Sequence, residues 1–140
     1  MKTIRAEKWL TWISAIVLLS LCLVGCSLTD GEQKRVAVEF QVVPFDEAPQ
    51  KLQEIVENHK KEEIKMTWEG EEGLYLIRGY GEQPTGGYSI SADAVELSED
   101  GLHVTTTLIP PPQVPAAREA SYPCIILFVE NTGQEVTFES

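Results

Sequence analysis

After residue 34, apolar positions recur at every second residue along most of the chain, and at helical spacing only once. In 35–43, Val36, Val38, Phe40 and Val42 fall on one side, which predicts a strand closed by Pro44 and Asp46. Over 49–61 the period changes. Leu52, Ile55, Val56 and His59 stand at i, i+3, i+4 and i+7, predicting a helix whose narrow apolar stripe His59 caps. Pro49 suits its first turn, and Lys60 and Lys61 complement the dipole at its end. Alternation then returns in 63–68, before an acidic turn at 69–73 and an aromatic, branched strand at 74–80.

Residues 81–90 join that strand to the next, 88–97, in which Tyr88, Ile90 and Ala92 alternate with Ser89, Ser91 and Asp93. Pro84 presets φ and Gly86 and Gly87 can take positive φ, so the stretch predicts a hairpin with an exposed, shaped tip. Asp100-Gly101 is a further turn signal. It opens a strand over 102–109 with Leu102, Val104 and Leu108 on one face and His103 on the polar, solvent-facing side. The Pro-rich 110–115 cannot continue a ladder and must leave the sheet. Residues 121–130 are the most hydrophobic strand, expected to be central, and 135–138 form the last one after a turn at 131–133. The pattern predicts a mainly β (α+β) domain: an antiparallel sandwich or barrel-like fold of six to seven strands with one early helix.

The N-terminus follows another logic. Lys2, Arg5 and Lys8 precede an uncharged run from Trp9 to Thr29 whose apolar core is 13–24, ending in Leu23-Val24-Gly25-Cys26. A basic start, a short apolar core and small residues before a cleavage point describe a signal peptide, 1–25. The Leu-Val-Gly-Cys ending resembles a bacterial lipobox, with Cys26 acylated by a diacylglyceryl group and 26–34 serving as a tether to the domain at 35–140. An uncleaved membrane-spanning anchor is the alternative. Either arrangement puts the domain on the extracytoplasmic face of the cell membrane.

Charge and chemistry narrow the function. Without 1–25, 115 residues remain, carrying 8 of the 11 Lys/Arg and 21 of the 22 Asp/Glu, a formal charge of −13. Such acidity excludes nucleic-acid binding, which needs a basic surface to release counterions. Cys22 leaves with the leader and Cys26 carries lipid, so Cys124 stands alone in an apolar run and reads as a buried small hydrophobe. One thiol makes neither an internal disulfide nor a zinc site. No nucleophile elbow, zincin, phosphate-loop or dinucleotide motif occurs, and His59 and His103 lie on separate elements. The expectation is a non-enzymatic protein with no cofactor and no metal.

The string Gly81-x-x-Pro84-Thr85-Gly86-Gly87-Tyr88-Ser89-Ile90 now gains weight as a whole. Together with Gly101-Leu102-x-Val104, the Pro-rich crossover and Ser121-Tyr122-Pro123-Cys124-Ile125-Ile126, it resembles the C-terminal domain of the PrcB protease-complex family over 74–138. The resemblance implies an interaction module that associates with or stabilises an extracytoplasmic protease complex. Its contact residues would be Gly81, Pro84, Thr85, Gly86, Gly87 and Tyr88, with Tyr122 and Pro123. The tip also looks like the Pro-Thr-Thr-Gly-Tyr loop of chagasin-type peptidase inhibitors. Gly86 replaces the second Thr here, and that family's Arg-Pro-Trp motif is missing. Two alternatives therefore stand beside the interaction module: an inhibitor using the Pro84 to Tyr88 loop, and a small-ligand or envelope-binding domain.

Overall fold

The structure is a computed structural model, described here for residues 33–130 and 133–140. The leader at 1–25, Cys22, Cys26 and most of the tether lie outside the described residues, as does most of the turn at 131–133. Among the described residues no helix is long and apolar enough to cross a membrane.

The elements in chain order are β1 (Val36–Ala37), β2 (Gln41–Val42), α1 (Gln50–His59), β3 (Glu63–Glu69), β4 (Leu74–Tyr80), β5 (Ser89–Ser98), β6 (Gly101–Ile109), β7 (Cys124–Val129) and β8 (Val136–Glu139). They build two four-stranded sheets, ordered β1-β5-β6-β8 and β2-β7-β4-β3. All pairings are antiparallel except β6 with β8, which run parallel.

Side-chain alternation gives the second sheet two buried faces. Leu74 and Leu76 of β4 and Leu127 and Val129 of β7 point inward and meet Val95, Leu102 and Val104 of the first sheet. The intervening Ile77 and Ile126 point outward, where Leu52 and Val56 of α1, with Ala48 and Ile64, cover them. β7 is therefore apolar throughout, and β4 apolar from Leu74 to Ile77 before Arg78, as strands buried on both faces tend to be. The helix needs only a narrow stripe because it covers one end of one sheet. Fully burying a Leu such as Leu52 contributes about 2–3 kcal/mol. His59, expected to complete that stripe, is exposed instead; the sheet lies beneath Leu52 and Val56, two turns and one turn earlier.

Two further expectations need correction. Residues 35–43 are not one strand. β1 pairs with β5 in the first sheet and β2 with β7 in the second, while Val38 and Phe40 cross the gap and pack on the intersheet core. This split raises the count to eight strands among the described residues. The stretch 81–88 is likewise a crossover and not a hairpin tip. Both sides of β4 are occupied, by β3 and β7, so β5 cannot pair with it and joins β1 and β6 in the other sheet. In β5 the alternation breaks at Asp93, where a bulge separates Ala92 from Ala94 in the β6 register. The extra residue lets Ala92 and Val95 both face the core. Asp93 accepts hydrogen bonds from Ser91 Oγ and Thr107 Oγ1, both at 2.5 Å.

Candidate functional site

The crossover 81–88 is fastened to the start of β7. Gln83 and Ser121 form an isolated antiparallel bridge: Gln83 N–H donates to Ser121 O at 2.8 Å, and Ser121 N–H returns to Gln83 O at 3.0 Å. Ser121 Oγ also donates to the Thr85 carbonyl at 2.6 Å, and Tyr80 N–H donates to Pro123 O at 3.0 Å. Gln83 Nε2 closes the set onto Tyr80 O at 3.0 Å. The structure thus brings Ser121 onto Thr85 and sets Tyr122 and Pro123 beside the start of the crossover, at Tyr80 to Gln83.

The eight candidate residues divide by exposure. Pro84 and Gly87 are exposed, and Gly86, Tyr88, Tyr122 and Pro123 are half-buried. Gly81 is buried against the backbone of Lys61 and Glu62. Thr85 is 6 % exposed, its hydroxyl turned to the Gly86 carbonyl at 3.2 Å, so its side chain presents no contact surface. Of the two adjacent glycines only Gly87 has positive φ, 85°; a Cβ there would stand 2.9 Å from the Pro111 ring. The Pro-rich segment therefore lies against this crossover. The end of the sandwich they form exposes Pro84, Ile109 (45 %) and Val114 (73 %). Lys60 Nζ sits 5.0 Å from the centre of the Tyr122 ring, a modest attraction between two half-buried side chains.

Behind this end, a polar layer ties the sheets together. Tyr80 Oη and Thr106 Oγ1 are 2.7 Å apart, one from each sheet. The guanidinium of buried Arg78 stacks 3.9 Å from the Tyr80 ring, donates to Gly79 O at 2.7 Å and pairs with Glu63 at 2.9 Å. Lys65 and the Arg78 charge together hold the Glu63 carboxyl below its ordinary pKa.

A second polar cluster sits on the outer face of the first sheet, and the sequence reading missed it. His103 is 5 % exposed, whereas its polar-face position predicted solvent. Its Nδ1 is 2.9 Å from Glu139 Oε1 of β8; its Nε2 is 2.9 Å from both Ser98 Oγ and Asp100 Oδ1. Arg35 covers the cluster, donating from both terminal nitrogens to Glu139 at 3.0 Å, with Glu96 at 3.6 Å. Ser98, His103 and Glu139 have the outline of a nucleophile-base-acid row, but Asp100 takes it over. Ser98 donates to Asp100 and His103 spans two carboxylates, an arrangement that favours the protonated imidazole over a free base. The bond to Asp100 raises the His103 pKa, with Glu139 adding to it against burial; bonds from Ser98 and His103 pull Asp100 down to about 2. The sequence signal was Ser98 before, and Asp100 within, the two-residue turn that precedes His103. The deciding partners, Glu139 and Arg35, are remote in the chain.

The linkage sign follows. A raised histidine pKa contributes stability that is fully present below about pH 6.5, its unfolded value, and is lost as pH rises through the folded value. The melting temperature should therefore fall on raising pH above about 6.5, and His103→Gln should flatten that fall. Unchanged pH dependence in His103→Gln would refute the clamp.

Cys124 packs in the outer cluster beside α1, and burial pushes its thiol up to about 11. Little thiolate forms at neutral pH, in keeping with a small apolar role.

Residues 74–130, from the first residue of β4 to the residue after β7, match the family described as PrcB C-terminal. That family is the one the residue string resembles. The match stops short of β8, eight residues before the boundary that the resemblance suggested. It contains the whole crossover, the Pro-rich segment, and Tyr122 and Pro123. No curated protein and no solved structure matches the chain.

Proposed function

We propose that this protein is a non-enzymatic interaction module of a protease complex, lipid-anchored through Cys26 on the extracytoplasmic face of the membrane. Its contact surface is the sandwich end formed by the 81–88 crossover, the 110–115 segment and Tyr122-Pro123. One observation carries the reading: the Gln83–Ser121 bridge assembles this surface inside the stretch matching the PrcB C-terminal family. Exposed Pro84, Ile109 and Val114 give it an apolar character suited to a protein partner. The peptidase-inhibitor reading fits less well. Thr85 is buried and its carbonyl bonded to Ser121, so the loop has no free tip to insert into a cleft.

The test is a pull-down of the full chain from detergent-solubilised envelope, identified by mass spectrometry. Wild type should recover a peptidase, and the Ile109→Asp/Val114→Asp pair should lose it with an unchanged melting temperature. Equal recovery by both proteins would move the contact elsewhere, and crosslinking without any peptidase would refute the function.

A further inference from the structure

The second sheet ends in an open edge. β3 is last in its order, and among the described residues no strand pairs with its outer side. It is seven residues long, whereas the other three sheet edges, β1, β2 and β8, have two, two and four. An edge of this length offers a row of outward N–H and C=O groups to another chain. Its inward side chains are also uncovered. Glu63, Lys65, Thr67 and Glu69 face the gap between the sheets and are all exposed, and β8 leaves a groove of about 630 Å³ beside the last three. Lys65, Thr67 and Glu69 line one wall of it, Glu135 and Phe138 the other. On the opposite face α1 reaches Ile64, leaving Met66 and Trp68 half-buried.

We propose that β3 accepts an extended segment of a partner polypeptide as a fifth strand, with basic residues opposite Glu63 and Glu69 and apolar residues opposite Met66 and Trp68.

Charge selects the partner. Residues 62–72 hold five glutamates and a single lysine. Glu63 shares its charge with Arg78 and Lys65, while Glu69 has no ion-pair partner among the described residues and is followed by Glu71 and Glu72. A second copy of the chain fits poorly. Full antiparallel overlap of two β3 strands, centred on Met66, places Glu63 against Glu69 twice, and like charges directly opposite destabilise a sheet. Basic residues at those two positions reverse the sign. The apolar requirement follows from the aromatic row on the outer face. Trp68, Tyr75 and Phe128 stand in register across β3, β4 and β7, with ring centres 5.6 and 5.1 Å apart. An apolar side chain opposite Trp68 extends that row by one strand. Main-chain bonds then supply affinity and alternate side chains supply selectivity, as in other strand additions. The edge meets the surface proposed above only at its Glu63 end, where Lys61 and Glu62 adjoin Gly81 and Glu82, and the inference stands whether or not the partner is a protease complex.

The probe is an end-blocked heptapeptide, Lys-Val-Thr-Val-Thr-Val-Lys, which reads the same in either strand direction, with a twin carrying Glu in place of both Lys. With the full chain, saturating Lys peptide should slow hydrogen exchange of β3 amides. It should bind about tenfold more tightly than the Glu twin, and Glu69→Lys should narrow or invert that preference. Equal binding of the two peptides, protection on β8 in place of β3, or self-association through β3 without peptide would each overturn the inference.

Discussion

Leu127→Ala is expected to lower the unfolding free energy by about 3 kcal/mol, within the range for truncating a fully buried leucine. Leu127 is 1 % exposed and sits on β7 between β2 and β4, with its side chain in the gap between the sheets. It packs in the cluster formed by Leu74, Leu76, Val95, Leu102, Val104 and Val129, drawn from both sheets. The truncation removes about three carbons' worth of buried contact and leaves a cavity that two hydrogen-bonded sheets cannot collapse to fill. For a domain of this size the loss corresponds to a fall in melting temperature of about 10–20 °C. Val114→Ala provides the control. Val114 is 73 % exposed, so its truncation should move stability by no more than about 0.5 kcal/mol. Thermal unfolding followed by circular dichroism separates the two. A Leu127→Ala protein within 1 kcal/mol of wild type would contradict the central placement of β7.

That central placement was readable in the sequence because its signal is local. A strand buried on both faces must be apolar at consecutive positions, and the run Ile125-Ile126-Leu127 shows it directly. The helix was readable for the same reason: Leu52 and Val56 repeat at helical spacing whatever lies beneath them. What alternation does not encode is which sheet a strand joins. Val38 and Phe40 alternate as strand residues do, yet they cross from one sheet to the other. Tyr80 and Ser89 flank a turn-rich stretch as hairpin ends would, yet β4 had already filled both its edges through β3 and β7. That choice depends on pairings dozens of residues away.

The candidate surface was legible to a similar degree. Because Gln83 pairs with Ser121, the segment leading into β7 lies against the start of the 81–88 crossover, and Ser121 reaches Thr85. The burial of Thr85 was not legible, since the stretch is fastened from Ser121, 36 residues later. His103 shows the same limit. Its alternation places it correctly on the outer face, but Arg35 and Glu139 close over it from the two ends of the described chain. The β3 edge differs in kind. Its acidic alternation is plain in the sequence, and only the strand order shows that its outer side has no neighbouring strand among the described residues.

Gly101→Val is expected to cost more than 3 kcal/mol, comparable with or larger than the core truncation, and to act through β8. Gly101 begins β6 directly after the Glu99-Asp100 turn with φ at 142°, a backbone region that side-chain-bearing residues rarely enter. A Cβ at this position would lie 2.4 Å from the Glu135 carbonyl oxygen. That oxygen is already engaged, accepting the Leu102 N–H at 2.8 Å. Relief of the clash must therefore move the chain entering β8, whose four residues pair in parallel with Leu102 to Thr105. Displacing β8 removes Phe138 and Val136 from the intersheet core and pulls Glu139 away from His103 and Arg35. Losses of packing and of the ionic clamp thus accumulate on one short strand. Gly86→Ala isolates the cause, because Gly86 lacks positive φ and a Cβ there meets nothing within 4 Å. That change should be neutral to within about 0.5 kcal/mol. Hydrogen exchange should show β6 and β8 amides losing protection in Gly101→Val, while β4 and β7 amides, in the other sheet, stay the slower set. Native-like protection across β8 with an unchanged melting temperature would show that the turn relaxes without moving the strand, and the parallel pair would then not be held by the close approach of Gly101 to Glu135.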